Sequence, residues 1–187
     1  MLFRSIFYIA YVKKGVTDTA KRPLTFAFNG GPGSSSVWLH MGTLGPKRVV
    51  MDAEGNPTPP PYRLVDNEYS VLDLTDIVFI DPVSTGYSRA AKEAEAKEFH
   101  GFKGDIESVG EFIRLWTTRN QRWTSPKFLM GESYGTTRAA ALSGHLQDKL
   151  GMNLNGIALI SSILHMATAR FDTGNDLPYP LDRKSTL

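Results

Sequence analysis

The chain of 187 residues has no cysteine, no long hydrophobic run and almost no net charge. The lack of cysteine excludes disulfide bonds, thiolate-ligated metal centres and a thiol nucleophile. No segment approaches the roughly 20 apolar residues that are needed to cross a bilayer, so we expect no membrane partner. The net charge is +2, and lysine and arginine are scattered along the chain, which argues against a nucleic-acid partner.

The composition is typical of a folded domain, since 41% of the residues are hydrophobic. We expect one α/β domain over residues 1–187, with an irregular tail at 177–187. The N-terminal apolar run 6–12 is too short for a secretory signal and lacks a small-residue cleavage site, so we interpret it as a strand. The sequence assigns no compartment, and nothing in it demands a metal or an organic cofactor.

Short apolar segments alternate with helical patterns along the chain. Predicted strands cover 6–12, 24–28, 77–80, 128–130 and 156–160, and predicted helices cover 34–44, 104–116 and 136–150. Such alternation is typical of a mostly parallel sheet with helices on both faces. In the short helix 34–44 we expect Val37, Trp38 and Met41 to face inward. In the helix 136–150 we expect His145 to lie on the solvated side.

The most informative pattern is Gly-x-Ser-x-Gly at residues 131–135, between a predicted strand and a predicted helix. This order of elements is the sequence form of a nucleophile elbow, in which a serine sits on a sharp, strained turn. Residues two before and two after the serine crowd each other, and glycine removes the clash. Ser133 is therefore the candidate nucleophile, and the backbone N–H of Tyr134 is a candidate oxyanion donor.

Two further loops follow predicted strands, at 29–33 (Asn-Gly-Gly-Pro-Gly) and at 81–88. Parallel strands place their carboxyl ends at one edge of the sheet, so we expect these loops to converge on the elbow. The glycine loop would supply the second oxyanion donor, although alone such a segment indicates only a tight turn. It lacks the Lys-Ser/Thr ending of a phosphate-binding loop, which argues against a nucleotide site. We interpret Asp81 as a cap of the turn before Pro82.

Together the segments 28–36, 81–88 and 131–135 resemble the serine carboxypeptidase family (peptidase family S10) of α/β-hydrolases, in its bacterial form. The resemblance covers about residues 24–164. It implies an α/β-hydrolase-like sheet in which Ser133 attacks the scissile carbonyl. The N–H groups of Gly31 and Tyr134 would form the oxyanion hole.

The resemblance alone implies that Asn29, Gly30 and Glu132 bind the C-terminal carboxylate of a peptide. Many members carry a glutamate shortly before a Leu-Gly-Pro, where it pairs with the glutamate beside the serine. Here Thr43 precedes that tripeptide. The carboxyl pair, which could share a proton and hold a carboxylate at acidic pH, is therefore missing. A carboxylesterase that uses the same Ser133 is the first alternative.

The family's catalytic aspartate and histidine follow the serine at a long distance, whereas this chain ends soon after it. We therefore expect an N-terminal portion of the fold. His165, just beyond the strand 156–160, is the candidate base, although an ordinary loop histidine is the alternative. A catalytically incomplete fragment that associates with itself through an exposed sheet edge is the second alternative function. The expected partner is a peptide or a small ester.

Overall fold

A computed structural model describes residues 4–92 and 96–163, together with 167, 170, 172–176 and 178. The strands are β1 (Arg4–Ser5), β2 (Tyr8–Tyr11), β3 (Leu24–Phe28), β4 (Lys47–Val49), β5 (Leu64–Asp66), β6 (Asp76–Ile80), β7 (Arg89–Ala90), β8 (Lys127–Glu132) and β9 (Gly156–Ile160). The helices are α1 (Val37–Leu39), α2 (Ala96–His100), α3 (Phe102–Arg119) and α4 (Tyr134–Leu150). None of the described helices is long and apolar enough to cross a membrane.

Five strands form the central sheet in the order β2-β6-β3-β8-β9. All neighbouring strands in it are parallel except β2, which runs antiparallel to β6. This confirms the predicted mostly parallel sheet. Because β3, β6 and β8 run in the same direction, the loops that follow them leave the sheet at one edge, as the sequence indicates.

One face of the sheet is covered by α3 and α4. The predicted helical periodicity is confirmed, because the side chains that recur every three or four residues are the ones that are buried. The residues buried in this layer are Ile106, Val109, Ile113 and Trp116 of α3, and Ala139, Leu142 and Leu146 of α4. They pack on the apolar side chains of β3, β6 and β8, among them Phe26 and Leu129.

The other face is covered by α1 and by the π-helical turn His40–Leu44 that continues it. The predicted short helix is present, but its predicted inward face was wrong at Val37 and Trp38, which are 47% and 69% exposed, whereas Met41 is half-buried. Leu39 and Leu44 are the buried residues that pack on the sheet. The N–H of Gly45 reaches back five residues to the His40 carbonyl (2.9 Å), so the segment continues after Leu39 as a wider turn than a regular α-helix.

Candidate active site

Ser133 occupies the junction between β8 and α4 in a strained backbone conformation, with φ 55° and ψ −124°. Hydrogen bonds on both sides hold it there. Its N–H donates to the Ile160 carbonyl (3.0 Å), and its carbonyl accepts from the Thr136 N–H (2.9 Å) and hydroxyl (2.6 Å). The residue is half-buried. A strained backbone conformation that neighbouring contacts hold in place is typical of functional positions. The conformation of Ser133 is the one that the elbow pattern predicts.

The glycines of the elbow are required by backbone crowding. A Cβ at Gly131 would overlap the Gly135 carbonyl and lie 2.9 Å from the Thr136 nitrogen. A Cβ at Gly135 would lie 2.8 Å from the Phe28 carbonyl oxygen, at the end of β3. Separations under 3 Å cannot be kept without movement of the backbone, so both positions exclude a side chain.

The glycine loop lies directly on the elbow. A Cβ at Gly30 would overlap the Tyr134 nitrogen and lie 2.7 Å from the Glu132 carbonyl oxygen. Gly31 follows with φ +107°, a conformation that strongly favours glycine. The backbone N–H groups of Gly31 and Tyr134 therefore belong to two segments that are in contact, as an oxyanion hole requires.

Asn29 joins the glycine loop to the side chain beside the serine. Its Nδ2 donates to Glu132 Oε2 (3.0 Å), and its Oδ1 accepts from the Leu39 N–H (3.0 Å). At the position of the expected family glutamate, the Thr43 hydroxyl donates to the Leu39 carbonyl (3.1 Å). Thr43 therefore contributes no carboxyl group beside Glu132.

Behind these loops lies a buried ion pair that the sequence analysis missed. The Nε of Arg138, on α4, lies 2.9 Å from Asp105 Oδ2, on α3. Arg138 is fully buried, and its Nη1 donates to the Asn29 carbonyl (2.7 Å). One guanidinium therefore ties both helices to the glycine loop. The pairing partners are distant in the sequence, so no local signal identifies them.

The same guanidinium lies over the ring of Tyr134, 5.2 Å from its centroid. Burial raises the pKa of the Tyr134 phenol, and the negative charge of Asp105 raises it further. The phenol is therefore neutral at physiological pH, so the residue after the serine packs against the ion pair without adding charge. The backbone N–H of this residue remains the predicted oxyanion donor.

The described histidines do not confirm a base for Ser133. His145 lies about three turns along α4 from the elbow and is half-buried, with Gly110 of α3 against its ring, so it is only partly solvated. His40 is buried and shares a hydrogen bond with the Tyr11 hydroxyl (2.8 Å). His165 and, apart from residue 178, the predicted tail lie outside the described residues. Within that described part, no cluster of three or more metal-ligating side chains is present.

With this geometry in place, the chain can be compared with known proteins. The sequence profile described as "Serine carboxypeptidase" matches residues 3–173. The chain belongs to the serine carboxypeptidase family. Serine carboxypeptidase-like 29 of Arabidopsis thaliana is 31% identical to it over 164 residues, which cover 83% of this chain and 32% of that protein.

The solved structure of a prohormone-processing carboxypeptidase from Saccharomyces cerevisiae superposes with a TM-score of 0.59 at 26% identity. The match covers 82% of this chain and 33% of that one. The predicted family and α/β-hydrolase fold are therefore confirmed. The chain spans about a third of the length of the curated relatives that it matches.

Proposed function

We propose that this chain carries the nucleophile of a serine carboxypeptidase. The Ser133 Oγ bonds to the carbonyl carbon of the last peptide bond, while a base takes its proton and passes it to the departing amine. Water then hydrolyses the acyl-enzyme and releases the shortened peptide. The observation that carries this proposal is the strained Ser133 turn with the glycine loop packed on it. His165 remains the candidate base.

The same geometry supports the proposed roles of the neighbouring groups. The N–H groups of Gly31 and Tyr134 would donate to the oxyanion, and the N-terminus of α4 favours the developing negative charge. Asn29, Gly30 and Glu132 would hold the substrate's terminal carboxylate. No second carboxyl from Thr43 accompanies Glu132, and the neutral donor beside it is the Asn29 amide.

The first test is covalent labelling with a fluorophosphonate. We expect a mass increase on the Ser133 peptide, because an elbow serine beside oxyanion donors forms a stable adduct. Ser133→Ala should abolish the labelling. Ser143→Ala, which removes a hydroxyl further along α4, should leave it unchanged. Folded protein that is not labelled would instead support the catalytically incomplete alternative.

Two peptides that differ only at the C-terminus separate the remaining alternatives. A carboxypeptidase releases the last residue from the peptide with a free carboxylate and not from its amidated form. A carboxylesterase, which the Thr43 position favours, hydrolyses p-nitrophenyl acetate through Ser133 and leaves both peptides intact. Cleavage of both peptides at the same rate would contradict the proposed carboxylate site.

We also propose that two copies associate through the outer edge of β9. In the described part of the chain no strand pairs with that edge, and Ile157 and Leu159 are 41% and 39% exposed. Edge strands with exposed apolar side chains are templates for further pairing. A two-fold axis would pair the edges of two copies and cover these side chains.

A charge on this edge should separate the copies. We expect sedimentation velocity to show a dimer for the unchanged chain and a monomer for Leu159→Lys, because a charge on the buried face of a paired edge opposes association. Leu74→Lys, at an exposed leucine outside the sheet, is the matched control and should remain dimeric. A monomeric unchanged chain at micromolar concentration would contradict the proposal.

A further inference from the structure

A cavity of about 390 Å³ lies beside β2 and β6 and has no role in the proposed reaction. Its volume falls in the range of small-molecule sites, about 300–1,000 Å³. Ser133 is not among the residues that line it. The side chains that matter for its chemistry are Phe7, Phe79, Tyr87, His40 and Asp81.

Asp81 is the acidic group of this cavity and is only 7% exposed. Its Oδ1 accepts the Ser36 N–H (2.7 Å), so the interpretation of Asp81 as a cap of the turn before Pro82 was wrong. Among the described residues, Oδ2 receives no hydrogen bond, and it lies against Gly86, which lines the same cavity and where an added Cβ would overlap it. A buried carboxylate with a free oxygen requires a compensating partner.

The cavity wall itself supplies no permanent cation, because no lysine or arginine belongs to the residues that line it. The remaining titratable neighbour is His40. Burial lowers the pKa of His40, although the charge of Asp81 opposes this effect. The His40 Nε2 also shares its hydrogen bond with the Tyr11 hydroxyl. Among the residues that line the cavity, a neutral His40 leaves the negative charge of Asp81 without a cationic partner.

Three aromatic side chains, Phe7, Phe79 and Tyr87, line the same cavity as Asp81. Phe7 and Tyr87 meet edge to face at 5.2 Å, and both are exposed, Tyr87 at 78%. Phe79 forms part of the inner wall. The faces of aromatic rings attract ammonium and guanidinium groups, and the attraction grows when the cation leaves water. We propose that the cavity binds an organic ammonium or guanidinium cation, which pairs with Asp81 and packs against Phe7 and Tyr87.

The test is calorimetric binding of benzylammonium, compared with the neutral benzyl alcohol. We expect saturable binding of benzylammonium that is weakened at least about tenfold by Asp81→Asn, because a charge-assisted hydrogen bond is lost. The substitution keeps an oxygen for the Ser36 N–H. Tyr87→Ala should also weaken binding, whereas Tyr69→Ala, at a comparably exposed tyrosine outside the cavity, should not.

Ser133→Ala separates this site from the proposed active site. Benzylammonium binding that survives this substitution supports a distinct site, whether or not the chain is a hydrolase. Equal binding of benzyl alcohol, or affinity that is unchanged by both Asp81→Asn and Tyr87→Ala, would overturn the proposal. If Asp81→Asn does not fold, the comparison of Tyr87→Ala with Tyr69→Ala decides the question, because both side chains are largely exposed.

Discussion

Gly30→Ala is expected to lower both fluorophosphonate labelling of Ser133 and ester turnover by at least about a hundredfold, the effect of losing one oxyanion donor. The added Cβ would overlap the Tyr134 nitrogen and lie 2.7 Å from the Glu132 carbonyl oxygen. All of these neighbours are backbone atoms, so no side chain can turn away. The glycine loop must therefore lift off the elbow, which separates the two predicted donors, Gly31 and Tyr134.

Gly33→Ala is the matched control within the same loop, because nothing lies within 4 Å of a Cβ at that position. We expect its labelling rate to equal that of the unchanged chain. Circular dichroism of both variants would verify that the fold persists. Labelling of Gly30→Ala at the unchanged rate would show that contact between loop and elbow does not control the reactivity of Ser133.

Arg138→Met is expected to lower the free energy of unfolding by about 3–5 kcal/mol, the usual cost of breaking a buried ion pair. The substitution leaves the Asp105 carboxylate, itself 5% exposed, without the guanidinium that lies 2.9 Å away. It also removes the donor to the Asn29 carbonyl. Urea unfolding at neutral pH measures the change, which is a large part of the stability of an ordinary domain.

Two further variants test whether the loss of stability in Arg138→Met comes from the buried ion pair. Lys103→Met breaks the exposed pair of Lys103 and Glu107 on α3, and we expect a loss of no more than about 1 kcal/mol. Combining Arg138→Met with Asp105→Asn should recover part of the loss, because no buried charge is then left alone. An unfolding midpoint for Arg138→Met that matches that of Lys103→Met would contradict the role of the pair.

Several elements follow from local rules, so the sequence alone predicts them well. The strands 24–28 and 156–160 agree with the structure, since each is a short apolar run bounded by turn residues. Helix α4 begins two residues before the predicted start, at Tyr134, because the elbow passes directly into it. Its predicted stop at Gly151 is confirmed by a left-handed φ of 63°.

Other features depend on contacts between distant parts of the chain. The inward face of 34–44 was predicted for a regular helix, whereas Leu39 of α1 and Leu44 of the following π-helical turn are the leucines that pack on the sheet. His145 was predicted on the solvated side of its helix, but Gly110 of α3 lies against its ring. Periodicity describes one helix, and it contains no information on what another helix will cover.

The sequence by itself determined the elbow at Ser133 and the family, because glycine spacing around a strained serine is a local steric requirement. Only the tertiary structure decided how charge is arranged around that site. Arg138 of α4 pairs with Asp105 of α3. Asp81 accepts a hydrogen bond from the Ser36 N–H and lines an open cavity. A buried charge takes whichever partner the fold brings within hydrogen-bond distance, and that partner can lie anywhere along the chain.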